Sequence, residues 1–168
     1  IQNLKANKDK IQNLYEVRER ERLGKGILSR KNSAIHVKGM EKFGIGINVP
    51  ASYQFVQEDE SFIWLRQPTP TTNRADISLF FYQTDYLSEE QVFPDNIIRL
   101  RDQITKTRIF GDPAISNSYI ETQQQSVPSF RNINIDGNYA IELRSQWRTH
   151  NLSMGGSFLS YTVVDKES

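Results

Sequence analysis

Alternation of apolar and polar positions is clearest between Asn138 and Asp165, where two runs of period two, 139–148 and 157–164, flank a loop carrying Met154-Gly155-Gly156. Successive strand side chains point to opposite faces, so the pattern predicts a β-hairpin with a glycine-bearing connection. Ile133-Asn134-Ile135 followed by Asp136-Gly137 predicts a second hairpin feeding into it, because Asp-Gly supplies the positive φ angles of a type I′ turn. Further strands are predicted at 53–56, 61–66, 76–82 and 118–122, separated by the acidic turn Glu58-Asp59-Glu60, the loop 68–73 and the polar loop 123–126. Ile45, Ile47 and Val49 also alternate until Pro50 and mark entry into the sheet. Phe62 and Trp64 share one face of their strand, and Ile63 and Leu65 the other, so both faces are expected to be at least partly covered.

Elsewhere the period is helical. Leu4, Ile11, Leu14 and Tyr15 align on one face of a helix over 1–23, which the Glu16/Arg20 spacing supports and Gly24 and Gly26 are expected to end. A helix over 33–43 places Ile35 and Met40 inward, with Gly44 positioned to cap it. The best-marked helix covers 94–107. Pro94 and Asp95 suit its first turn, Ile97, Leu100 and Ile104 form its buried stripe, and Lys106 and Arg108 suit its C-terminal end. Arg99 and Arg101 are expected to be exposed or paired locally with Asp102, and Gly111-Asp112-Pro113 to turn the chain. Together these elements predict one α+β domain over 1–168, a mainly antiparallel sheet of about six or seven strands with two or three packed helices.

Composition narrows the function classes. Apolar residues make 37% of the 168 positions and charged residues 24%, which describes a globular chain and excludes a membrane-embedded or disordered one. A net charge of +1 gives no electrostatic footprint for nucleic acid. With no cysteine, disulfides, thiolate catalysis and zinc ribbons are removed together. No apolar run is long enough to cross a bilayer. The start at Ile1 and the strand close to the C-terminus lead us to expect further segments on both sides.

The 139–148 strand carries the candidate chemistry. Tyr139, Ile141, Leu143 and Trp147 point one way, as core. Glu142, Arg144, Gln146 and Arg148 point the other way with His150 nearby, a row that suits either an anionic or sugar ligand or a solvated face with cross-strand pairs. Trp64 and Trp147 suit either sugar stacking or partial burial. Gly155-Gly156 suits either a phosphate cradle or a turn or bulge, without the spacing of a P-loop. No catalytic motif and no cofactor fingerprint is present, and the lone His36 has no partners at metal-ligand spacing. A hydrolase would need His150 bonded directly to a carboxylate in a deep pocket. Glu19 and Glu21 cancel the charge of the Val17–Arg22 run and make it a solvated face. Asn151-Leu152-Ser153 matches a glycosylation acceptor pattern.

Phe43-Gly-Ile-Gly-Ile-Asn-Val-Pro50 with Tyr53, Phe62-Ile-Trp-Leu65, Asp76-Ile-Ser-Leu79, Arg101-Asp102, Ser118-Tyr119, Arg144, Trp147 and Met154-Gly-Gly-Ser-Phe158 resemble an uncharacterised domain-of-unknown-function family of Bacteroidetes lipoproteins. The resemblance covers most of the chain, as the C-terminal half of the family's proteins. Ser145 and Ser157 depart from the glycine and proline expected there. The resemblance implies an exported, periplasmic or outer-membrane-associated protein, held to the membrane only through an upstream lipid anchor. It offers no catalytic residues. The expected function is a non-catalytic cell-envelope module that binds a partner protein, glycan or other envelope component, with Glu142, Arg144, Trp147, Arg148 and His150 as candidate ligand residues.

Overall fold

The helical pattern near the N-terminus becomes helix α1, Lys8–Ile27, which runs on through Gly24 and Gly26 instead of stopping there. A glycine costs a helix about 1 kcal/mol relative to alanine, which weakens it without ending it, and no proline or left-handed residue follows to turn the chain. Ile11, Leu14 and Tyr15 are exposed, so the expected stripe is not a buried one. The computed structural model describes residues 7–69, 76–109 and 114–165, so Leu4, the tip of the 68–73 loop and the Gly111-Asp112-Pro113 turn lie outside the described residues. Among the described residues, three α-helices and seven strands give the expected α+β class. The strands divide between two antiparallel sheets, because helix and loop, not a hairpin turn, separate the third strand from the fourth. The chain forms two compact units, 1–84 and 85–168.

In the first unit, helix α2 spans Ser33–Phe43 as expected. Asn32 Oδ1 accepts from Ile35 N–H at 3.2 Å, and Gly44, at φ 66°, closes the helix by donating to Met40 O. Ile35 is fully buried, but Met40 is half exposed. The face of closest approach centres instead on Ile35 and Gly39, one turn apart. A Cβ on Gly39 would lie 2.7 Å from both Ile45 O and Ile47 Cγ1. The 45–49 segment is not a sheet strand. It is held by Asn32 N–H to Val49 O at 2.9 Å and Ala51 N–H to Arg30 O at 2.8 Å, while Gly46 packs against His36.

Strands β1 (Gln54–Asp59), β2 (Phe62–Gln67) and β3 (Ile77–Tyr82) follow in sheet order, with a register shift between Phe55 and Gln57. β2 is buried on both faces, as its unbroken apolar run implies. Ile63 and Leu65 join Ile35, Ile47, Val49 and Tyr53 in the core under α2. On the other face Trp64 is buried and donates to Ser78 Oγ at 3.3 Å, which makes it a core residue and not a stacking platform.

The second unit is built on helix α3, Pro94–Arg108, and strands β4 (Ile120–Thr122), β5 (Ser129–Ile135), β6 (Asn138–Thr149) and β7 (Gly155–Val163). Asp136 at φ 50° and Gly137 at φ 89° form the expected turn between β5 and β6. β6 is the centre of the sheet. β4 and β5 pair with successive parts of it along one side, and β7 pairs along the other. Ile97 of α3 packs on Ile141 and Leu143, with Phe130 and Phe158 around them. Arg101 pairs with Asp102 at 2.8 Å, yet it is buried, lying 3.9 Å above the Phe158 ring and donating to Thr122 Oγ1 at 3.1 Å.

Candidate functional site

The register of β6 sorts its side chains into two rows. Ile141, Leu143, Ser145, Trp147 and Thr149 share the face that α3 covers, while Ala140, Glu142, Arg144, Gln146 and Arg148 share the open face. Both rows follow the expected alternation. Burial departs from it at three positions, the first being Ala140, which is fully buried on the open face. Glu142 is buried on the nominally polar face, because Arg144 on its own strand and Tyr161 on β7 close over it. Tyr139 is 41% exposed on the nominally apolar face, one residue from the start of the strand.

Glu142 accepts from Arg144 Nε at 2.8 Å and from Tyr161 Oη at 3.2 Å. The hydrogen bond from Arg144 is the main influence holding its carboxyl below the ordinary glutamate range. The Arg144 charge, Tyr161 and the Arg131 charge add to it, and burial opposes it. Arg144 is correspondingly held above its ordinary value by Glu142. A carboxylate depressed in the folded state contributes stability above its unfolded pKa and loses it as pH falls through the folded value. Stability measured by denaturant unfolding is therefore expected to fall on acidification below about pH 4, and to fall less steeply in Glu142→Gln. Identical acid profiles for the two proteins would show that this carboxylate carries none of the effect.

Four residues further along β6, roughly 13 Å at the usual strand rise, Arg148 makes a second pair. Its Nε and Nη2 donate to Glu121 Oε1 at 2.8 and 2.6 Å. His150 stacks on Tyr119, with ring centroids 4.7 Å apart, and its Nδ1 lies 3.7 Å from the same Glu121 oxygen. That separation exceeds a hydrogen bond. The candidate residues therefore fall into two groups, Glu142 with Arg144, and Arg148 with His150 around Glu121. Each guanidinium already has its carboxylate, so the row offers no uncommitted cation for an anionic ligand.

Trp147 lies on the other face and is half-buried. It sits opposite Gly156, and here the structure overturns the expectation that Gly155 and Gly156 belong to a loop. Both are in β7, paired with Arg148 and Trp147, and neither has positive φ. A Cβ on Gly155 would lie 2.8 Å from Trp147 O, and one on Gly156 would lie 3.1 Å from Trp147 Nε1. Close strand approach requires these glycines, not a turn. Their lack of side chains leaves a groove of about 550 Å³ around the hairpin end, lined by Trp147, Arg148, Gln123, Gln146, Leu152 and Gly156.

A model of the family described as a domain of unknown function, DUF4837, matches residues 31–168. The chain belongs to this family. No curated protein and no solved structure matches it. The DUF4837 match takes in α2, both sheets and all five candidate residues, and leaves α1 outside it. Among the described residues of the DUF4837 chain no acidic or histidine cluster is arranged to hold a metal ion, and no helix is long and apolar enough to cross a membrane.

The DUF4837 domain has a second crevice, of about 390 Å³, that sequence reasoning missed. Tyr86, Val92, Phe93, Phe130, Tyr139 and Ile141 line it. Its residues come from the segment before α3, from β5 and from β6, so no single periodic run marks them. The one sequence signal was the density of aromatic residues at 86, 93, 130 and 139.

Proposed function

We propose that this chain is a non-catalytic module of an exported, lipid-anchored envelope protein, and that it binds a neutral glycan in the Trp147 groove. The export and anchor rest on the motif resemblance. The ligand class rests on one observation: a shallow groove of about 550 Å³ at the hairpin end has Trp147, Gln123, Gln146 and two glycines among its lining residues. A sugar ring offers an apolar C–H face that suits an aromatic surface, and hydroxyls that both donate and accept, as carboxamides do. Arg148, the arginine among the lining residues, is already paired with Glu121, which favours an uncharged ligand over an anionic one.

The test is titration with neutral oligosaccharides representative of envelope glycans, followed by calorimetry and by the fluorescence of Trp147 in a Trp64→Phe background. Trp147→Ala is expected to weaken binding at least tenfold, since one well-placed aromatic or hydrogen-bonding group is worth about 1.4 kcal/mol or more. Gln146→Ala, an exposed change that leaves the core intact, is expected to weaken it by a smaller factor. Binding unaffected by either change, or no binding across the set, sinks the glycan reading. Incorporation of a fatty-acid probe into the full-length precursor tests the anchor separately.

A further inference from the structure

We infer that the second crevice, of about 390 Å³, binds a small soluble cation carrying a quaternary ammonium group, the chemistry that choline represents. The crevice shares no lining residue with the Trp147 groove, so this site is independent of the glycan reading. Four aromatic side chains line it, Tyr86, Phe93, Phe130 and Tyr139. An aromatic face carries negative charge density, and several rings around one crevice suit a desolvated organic cation. Tyr86, Phe93 and Tyr139 are 40%, 52% and 41% exposed, so each has surface left for a ligand to cover. The volume lies within the range of about 300–1,000 Å³ usual for small-molecule sites.

Charge decides for a cation over an uncharged or anionic ligand. Glu89 is the charged side chain in the lining, and among the described residues no lysine or arginine joins it. The chain from Asp85 to Ile98 holds Asp85, Glu89, Glu90 and Asp95 and no basic residue. Arg99, the first basic residue of α3, is engaged by Asn96 Oδ1 at 2.8 Å and does not line the crevice. Arg131 stands on the opposite face of the sheet in register with Glu142, whereas Phe130 and Asn132 pair with Leu143 and Ile141 on the face that α3 covers.

The polar groups of the lining select a quaternary over a primary ammonium. A primary ammonium brings three N–H donors, each of which needs an acceptor once it leaves water. Asn132 Oδ1 already accepts from Tyr139 Oη at 3.2 Å, and among the described lining residues Glu89 supplies the one carboxylate. A cation with methyl groups in place of N–H leaves no donor unmet, and those methyl groups suit aromatic walls. The segment carrying Tyr86 and Glu89 is also braced in advance. Gln91 Oε1 accepts from Ser88 N–H at 3.0 Å, Gln91 Nε2 donates to Asp85 O at 2.9 Å, and Asn96 Nδ2 donates to Glu90 O at 2.6 Å. Binding therefore requires little further ordering of this segment.

Titration of the whole chain with choline, followed by calorimetry and by proton NMR of the aromatic side chains, tests the site. Choline is expected to bind with Kd about 0.1–1 mM. Its uncharged isostere dimethylbutanol, with carbon in place of nitrogen, is expected to bind at least tenfold more weakly, and ethanolamine, the primary amine, at least threefold more weakly. Phe93→Leu keeps an apolar side chain at an exposed position but removes the ring, and is expected to weaken choline at least threefold. Tyr86→Leu is an independent change of the same kind with the same expected result. Glu89→Gln is expected to weaken choline by a similar factor and to leave the isostere unchanged. Circular dichroism checks that the variants keep the fold. No choline binding up to about 10 mM, equal affinity for choline and its isostere, or choline binding indifferent to all three substitutions would each overturn the proposal. Adsorption to phosphatidylcholine vesicles without binding of free choline would overturn it as well, by assigning the crevice to a lipid surface.

Discussion

Asp102→Ala is expected to destabilise the 85–168 unit by about 3 kcal/mol, the lower end of the cost of stripping a buried ion of its partner. Asp102 Oδ1 is a shared acceptor. It receives Arg101 Nη1 at 2.8 Å, Thr122 N–H at 2.9 Å and Thr122 Oγ1 at 2.6 Å, and so ties α3 to β4. The guanidinium it neutralises is 7% exposed, and burial pulls the Arg101 pKa down while Asp102 opposes that pull. Removing the carboxylate leaves a buried charge and a backbone N–H without their acceptor. The Asp102 side chain itself is 30% exposed, which places the loss at the lower end. Asp102→Asn keeps an oxygen in place and is expected to lose less. Adding Arg101→Met to Asp102→Ala is expected to recover part of the loss, because methionine fills similar space above Phe158 without a charge. Denaturant unfolding of the four proteins checks this. A loss below about 1 kcal/mol for Asp102→Ala would place the pair with ordinary surface ion pairs.

Gly39 supports an opposite-signed comparison in the first unit. An alanine in mid-helix gains about 1 kcal/mol over glycine in intrinsic propensity, but the added Cβ at Gly39 would lie 2.7 Å from the Ile45 carbonyl oxygen, which belongs to the backbone and cannot rotate away. Overpacking costs of about 1–3 kcal/mol per site then win. Gly39→Ala is expected to be destabilising by up to about 2 kcal/mol, and Gly39→Val by about 3 kcal/mol. Gly24 supplies the control, because a Cβ there meets nothing within 4 Å. Gly24→Ala is expected to raise helix content without that loss, as read by circular dichroism and denaturant unfolding. A stabilising Gly39→Ala would show that α2 can lift from the 45–47 segment at little cost.

Elements whose ends are fixed by local chemistry were legible in the sequence. Gly44 ends α2, Pro94 starts α3, and Asp136-Gly137 turns β5 into β6, because each acts through its own backbone or that of near neighbours. Glycines without such local context misled. Gly24 and Gly26 read as a stop although nothing nearby turns the chain, and Gly155-Gly156 read as a loop although the reason for them is the close approach of Trp147, through its carbonyl at Gly155 and its indole at Gly156. Burial of charge was illegible for the same cause. Arg101 and Glu142 are covered by Phe158, Thr122 and Tyr161, which lie 57, 21 and 19 positions away in sequence from the residues they cover. Alternation placed Glu142, Arg144 and Arg148 on one face correctly. It could not show that Glu121, from β4, would split them into two pairs.

The central place of β6 bears on how the groove is held. A strand paired on both sides has its amides closed off on both sides, so exchange with solvent water requires a large opening of the sheet and not a fraying edge. Trp147, paired with Thr122 on one side and Gly156 on the other, therefore stands on a segment expected to show slow hydrogen–deuterium exchange in this unit. A ligand resting there meets a surface that is already ordered, so little of its binding energy is spent on arresting motion of the protein.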